Sequence, residues 1–302
     1  MTQTGPSLTP HDERALKALI AWWADAGIEM DEPVMAARAT GSSAGSSAGS
    51  SAGSSAGRSA SASPAPARGE PRRTPPAEPV RAATPQAARA AGFGDAVATG
   101  PDARTLAAKA DTLDALRDAI EAFDGCALKR TARNTVFARG DRAARIMVIG
   151  EAPGREDDER GAPFIGPAGK LLDRMLAAIG IEQDGAYLTN ILNWRAPGNR
   201  APTQDEIALC LPFIERHIAL KKPDLLVLAG ALSAQSLLGA ETPITRLRGR
   251  WADYALRDAA GEPTGATIPA LPIFHPSYLL LRPGEKRLAW QDMLSLSARA
   301  SD

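Results

Sequence analysis

The sequence predicts an α/β fold, a three-layer α/β/α sandwich around a central, mostly parallel four-stranded sheet. Three observations predict it. Four short apolar runs have strand length: ARIMVIG (144–150), AYLTNIL (186–192), DLLVLAG (224–230) and LPIFHPS (271–277). Helical patterns separate them in the order β, α, β, α, which argues for parallel strands covered on both faces. The runs are apolar almost throughout instead of alternating, as strands buried on both faces require.

The elements follow in chain order. His11 to Gly27 has helical periodicity through Leu16, Leu19, Ile20, Trp22 and Trp23, with Gly27 as the stop. This N-terminal helical segment, 1–37, must bury two tryptophans, by docking on the main domain or on a protein partner that the sequence does not name. Residues 41–57 read GSSAGSSAGSSAGSSAG, and Pro, Ala, Ser and Arg continue the bias. Too little apolar surface is present to offset the entropy of ordering, so 38–97 reads as a disordered linker. The remainder, 98–302, is one domain of comfortable size for a single core. It opens with an amphipathic helix over 103–122. Further helices are AGKLLDRMLAAIG, TQDEIALCLPFIERHIAL, ALSAQSLLG and GEKRLAWQDMLSLSA. Thr203 followed by Glu206 is a capping-box signature for the second of these.

Composition excludes some classes. No run of about 18 apolar residues occurs, so no membrane span is expected. The start, MTQTGPSLTPHDER, lacks the basic and apolar regions of a secretory signal. The two cysteines, Cys126 and Cys210, form no Cys-x-x-Cys pair, so a disulfide framework is not expected. The chain reads as a cytoplasmic monomer. Its 35 basic and 35 acidic residues cancel, but distribution matters more than the total for a nucleic-acid binder. Arginines gather at Arg246, Arg248 and Arg250, and a second basic group is Arg282, Lys286 and Arg287. The arginines of the linker read as a solvated tether, with a salt-sensitive polyanion contact as the alternative.

In a parallel α/β sheet, ligands bind beyond the carboxyl ends of the strands. The acidic loop after Gly150, Asn190, and His275-Pro276-Ser277 can therefore meet on one rim. The loop GEAPGREDDERGAPFIGPAGKLLDRML carries six acidic residues between Glu151 and Asp173. They could ligate a metal, position a water or merely solvate the loop. No second acidic cluster marks the other strand ends, which weakens the metal reading. Phe164 is either a core plug or a stacking platform. A buried Asn190 amide can bond backbone or read an imide edge, since it donates and accepts side by side. His275 sits where strand meets loop; His217, within an amphipathic helix, reads as a surface residue.

The motif GEAPGREDDERGAPFIGPAGKLLDRML resembles the first motif of the family 4 uracil-DNA glycosylases. TN at 189–190, RAPGNRAPT at 195–203 and HPSYLL at 275–280 continue the resemblance, which spans roughly 120–296. It implies that Phe164 stacks on a flipped-out uracil, that Asn190 bonds its edge and that His275 contacts the departing base. Ala152 lies beside the base, and Glu151 and Asp157 fall at acidic positions lining the pocket. Asn199, Ser277 and Tyr278 fall on the DNA side. The apolar tip Leu279, Leu280 and Leu281 suits a minor-groove wedge, with the alternative that these leucines begin a buried helix, and Arg246, Arg248 and Arg250 would grip phosphates. One departure is clear. The family holds a [4Fe–4S] cluster through four cysteines, but only Cys126 and Cys210 match; Phe123 and Trp194 stand at the other two positions. Two thiolates do not hold such a cluster, so no cofactor and no metal are expected.

The implied reaction hydrolyses the glycosidic bond of uracil-containing DNA, leaving an abasic site. His275 stabilises the leaving uracil, and Asp157 or Glu151 orients water. A uracil- or damage-recognising DNA-binding protein without turnover is the alternative, a metal-dependent nuclease is a third, and both rank below the glycosylase.

Overall fold

A computed structural model describes residues 102–182 and 184–301. The helix expected over 11–27 and the linker expected over 38–97 lie outside the described residues.

The stretch expected as one helix is two, α1 (Ala103–Lys109) and α2 (Leu113–Ala122). Thr112 breaks it. Its backbone is extended and its hydroxyl accepts from Ala115 N at 3.1 Å, so it begins a new helix as an N-cap. Asp102 does the same for α1, accepting from Thr105 N at 2.6 Å.

The sheet is built from β1 (Ile146–Gly150), β2 (Ala186–Asn190), β3 (Leu225–Ala229), β4 (Ala252–Arg257) and β5 (Pro263–Ile273), in the order β2-β1-β3-β5-β4. The first four in that order are parallel, and β4 pairs antiparallel with β5. The sheet therefore has five strands, not four. The missing one, ADYALR, hides because only Tyr254 on it is buried; an edge strand covered on one side gives no continuous apolar run. Its partner β5 likewise begins eight residues before LPIFHPS, in an exposed segment.

Burial on both faces explains the unbroken apolar strands. Met147, Ile149, Leu226 and Leu228 join the core layer beneath α1, α2 and α5 (Gln204–Lys221). Their neighbours Ile146, Val148, Leu225 and Val227 join the opposite layer. There they meet α4 (Pro167–Ala178) and α9 (Lys286–Ala300). The capping box at the start of α5 is present: Thr203 Oγ1 accepts from Glu206 N at 3.2 Å, and Glu206 Oε2 accepts from Thr203 N at 2.8 Å.

His217 is a correction. It is buried in α5, stacked on Phe137 at 4.4 Å with Tyr187 Oη 2.9 Å from Nε2. Burial pushes it down to about 3, so it is a neutral core residue and not a surface one. Among the described residues no helix is long and apolar enough to cross a membrane.

Candidate active site

The carboxyl ends of β1 and β2 meet in register, with Gly150 opposite Asn190. The acidic loop that follows Gly150 is largely helical. It forms α3 (Arg155–Arg160), turns at Gly161 (φ +70°) and reaches Phe164 before α4 begins at Pro167. Phe164 itself has φ +56°. A bulky residue in the left-handed region costs about 1–3 kcal/mol and persists only where its surroundings fix it. Here the fixing is visible. A β-carbon on Gly169 would lie 1.7 Å from Phe164 O, so the first turn of α4 presses directly on that carbonyl. A β-carbon on Gly150 would lie 2.5 Å from the Phe164 ring and 2.4 Å from Asn190 Oδ1. Only glycine at 150 lets the ring and the amide meet above the strand end.

These groups line a cleft of about 1030 Å³ that also takes in Glu151, Ala152, Asp157, Asn199, His275 and Ser277. The sequence-predicted pocket residues are thus brought to one rim. Asn190 is 2 % exposed, and its Nδ2 has no hydrogen-bond partner among the described residues. Buried donors are almost always paired, so an orphan in a cleft marks a place where a ligand acceptor fits. The Phe164 and His275 rings stand 6.0 Å apart and nearly parallel, with 23° between their planes.

His275 caps α8 (Pro276–Leu281). Its Nδ1 accepts from Ser277 N at 3.2 Å and lies 2.7 Å from Ser277 Oγ. An Nδ1 that accepts from a backbone amide carries no proton, so the neutral ring carries its hydrogen on Nε2. Burial holds the imidazole below its ordinary pKa, against the opposing pull of Glu151 and Asp157. The site therefore offers a neutral N–H donor at neutral pH.

The two carboxylates differ. Asp157 accepts from Gly154 N (3.1 Å) and Ile165 N (2.7 Å), one bond to each oxygen. It closes the turn into α3 and ties it to the Phe164 loop. Glu151 Oε1 accepts from Leu232 N (3.1 Å), at the start of α6 (Ala231–Leu238). A β-carbon on Gly230 (φ +107°) would lie 2.3 Å from that oxygen, so glycine there admits the carboxylate. Asp158 is buried and structural, accepting from Arg133 N (2.8 Å) and Asn134 N (3.2 Å). Glu156 and Glu159 are exposed. Among the described residues no group of three or more His, Cys, Asp or Glu side chains could hold a metal ion.

On the expected DNA side, two residues are corrected. Leu279 is 0 % exposed and packs in the core layer of α4 and α9. Leu281, two residues on, is 80 % exposed. On this single helical turn Leu279 faces inward and the tip is left to Leu281. Arg248 is not a free phosphate grip. Its Nε donates to Asp292 Oδ2 at 2.9 Å and its Nη2 to Leu288 O at 2.5 Å, and its guanidinium lies 5.5 Å from the Phe274 ring centre. Burial pushes Asp292 up to about 6 despite that arginine. Arg246, Arg250 and Ser277 are exposed, and Tyr278 is partly so while resting on Phe274. Asn199 is exposed at φ +54°, its Oδ1 accepting from Arg195 Nε at 2.6 Å.

The four positions that the resemblance assigns to a cluster are all buried in one core layer. The Phe123 and Trp194 rings stack at 6.4 Å, and a β-carbon on Gly125 would lie 2.4 Å from the Phe123 ring. The two buried thiols act on each other: Cys210 draws Cys126 down, and Cys126 with burial pushes Cys210 up. Two thiols and two packed rings do not fit a group that wants four thiolates.

Sequence reasoning missed the roles of Gly150 and Gly230, which depend on side chains far along the chain.

The uracil DNA glycosylase superfamily model matches residues 137–294. The chain is 36 % identical over 177 residues to the "Type-4 uracil-DNA glycosylase" of Archaeoglobus fulgidus, covering 57 % of this chain and 85 % of that protein. It is 32 % identical over 175 residues to the protein of the same name from Pyrobaculum aerophilum (57 % and 86 % covered). The one from Sulfurisphaera tokodaii is 34 % identical over 187 residues (60 % and 82 % covered). With its glycine-floored cleft inside the matched region, the chain belongs to the uracil DNA glycosylase superfamily.

Proposed function

We infer that this protein is a uracil-DNA glycosylase: it hydrolyses the bond between uracil N1 and deoxyribose C1′ in DNA and leaves an abasic site. The observation that carries this reading is the orphaned Nδ2 of Asn190, buried in a cleft beside Phe164 and His275. An unpaired buried donor costs about 1–3 kcal/mol, which a matching ligand acceptor recovers. Uracil O4 is such an acceptor. Cytosine places an amino donor at the same point and would leave two donors facing each other. Family membership and the type-4 relatives support the same reading.

A stacked base is out of reach, so the nucleotide must leave the helix. The exposed Leu281 suits a wedge that holds the gap open, and the exposed Arg246 and Arg250 suit phosphate contacts, with Asn199 at the cleft edge. Phe164 supports the flipped ring. As the glycosidic bond stretches, negative charge gathers on the uracil. The neutral His275 donates from Nε2 to the O2 oxygen, where preorganised donors act most strongly. A carboxylate orients the attacking water and offsets the positive sugar. Glu151 suits this better than Asp157, because both oxygens of Asp157 already serve backbone amides. The scheme uses no metal ion and no cluster, and the chain works as a monomer.

The test is a labelled uracil-containing oligonucleotide incubated with the protein in EDTA, then treated with alkali. Scission at the uracil that falls sharply in Asn190→Ala and His275→Ala is the expected result. Tight uracil-dependent binding without scission would instead make the protein a recognition module.

A further inference from the structure

Arg139 belongs to none of the motifs at the strand ends, yet it bonds both the strand that carries Asn190 and the loop that carries Phe164. Its backbone pairs with β2: Arg139 N donates to Leu188 O at 3.0 Å, and Leu188 N donates to Arg139 O at 2.8 Å. Leu188 stands two residues before Asn190 on the same strand. Thr189 Oγ1 donates to Phe137 O at 2.6 Å and Asn193 Nδ2 to Val136 O at 3.1 Å, so Val136, Phe137 and Arg139 are bonded along β2 and the turn after it. From this rail the Arg139 side chain crosses to the other loop. Nε donates to Pro163 O at 2.9 Å, and Nη2 donates to Phe164 O at 3.2 Å and to Asp173 Oδ1 at 2.6 Å. The side chain is 14 % exposed.

We propose that Arg139 is a positioning residue for base recognition, locking the Phe164 ring in register with Asn190. Phe164 O packs closely against Gly169 in α4 and accepts from the guanidinium. Fixing that carbonyl fixes the left-handed backbone of Phe164, and with it the direction of the ring. The planar fork matters, because one group must serve two successive carbonyls and a carboxylate at once, which an ammonium on a flexible stem does not do. The inference rests on the reading of Phe164 and Asn190 as the base-recognising pair. A simple staple holding the loop to the sheet would make the same contacts but would not act through Phe164.

A double-mutant cycle separates the two. Arg139→Lys keeps a positive charge opposite Asp173 and removes the fork. The expected loss in kcat/KM on a uracil-containing oligonucleotide is about tenfold to a hundredfold, the scale set by displacing a recognition group by about 1 Å. In a Phe164→Ala background the same substitution is expected to cost less than about twofold, since coupled residues are non-additive. Equal losses in the two backgrounds, or a wild-type rate in Arg139→Lys, would overturn the proposal. Circular dichroism accompanies each variant, and Arg139→Gln, which keeps an N–H donor, replaces the lysine variant should that not fold. If the wild-type protein shows no scission, the glycosylase reading fails by itself. The cycle is then read as preference in binding for uracil- over thymine-containing oligonucleotide, with the same expected and contrary outcomes for Arg139.

Discussion

Gly150 and Asn190 face each other across the β1–β2 ladder, and a methyl group on the glycine would land 2.4 Å from Asn190 Oδ1 and 2.5 Å from the Phe164 ring. The strand end is the floor on which amide and ring meet. Gly150→Ala is therefore expected to lower kcat/KM on uracil-containing DNA about a hundredfold by pushing both groups aside. Kinetics on the alanine variant, with circular dichroism to confirm its fold, check this.

The unequal engagement of Glu151 and Asp157 gives the second prediction. In the proposed reaction Glu151→Gln removes the charge that would face the sugar, and kcat is expected to fall about 10²- to 10⁴-fold with little change in melting temperature. Asp157→Asn places an amide where two backbone N–H groups need acceptors. It is expected to destabilise the protein by about 1–3 kcal/mol, measured by urea unfolding. A large loss of kcat in Asp157→Asn with unchanged stability would reverse the two assignments.

The pH profile follows from His275. In the proposed reaction its working form is the neutral ring, and burial lowers its pKa below the ordinary 6.5. A lowered pKa keeps the ring neutral to lower pH, so kcat/KM is expected to stay level as pH falls through 6.5 and to decline only below it. An acid limb above pH 6.5 would contradict the neutral donor.

Arg248 and Asp292 form a buried pair behind the rim, with the guanidinium against Phe274, the residue before His275. Asp292→Ala strands a buried charge and is expected to cost about 3–5 kcal/mol of stability. Arg246→Ala, on an exposed residue, should leave stability unchanged and weaken DNA binding, with a shallower salt dependence. Thermal or urea unfolding beside salt-titrated DNA binding separates the two arginines.

What the sequence revealed follows from where its signals lie. The four apolar runs were legible because both faces of each strand are buried, and β4 was not because one face of it is open. Thr203–Glu206 was legible as a cap because capping is local chemistry, whereas the break at Thr112 was hidden inside a continuous helical pattern. That Phe164, Asn190 and His275 line one cleft was legible from motif and strand-end logic. The different backbone partners of Glu151 and Asp157 were not, since they are amides at Gly154, Ile165 and Leu232. Arg248 and Leu279 were misread for the same reason: charge and hydrophobicity are visible in sequence, but which way a side chain turns depends on Asp292 and α9.

The most direct measurement compares wild type and Asn190→Asp on matched uracil- and cytosine-containing oligonucleotides, scored by alkali-revealed scission. The carboxylate keeps the size of the amide but offers no donor to uracil O4. Wild type is expected to cleave at uracil and not at cytosine, with uracil cleavage in the variant reduced at least about a hundredfold, as follows when an edge-reading donor is lost. Undiminished uracil cleavage by Asn190→Asp would contradict the claim that this amide reads the base.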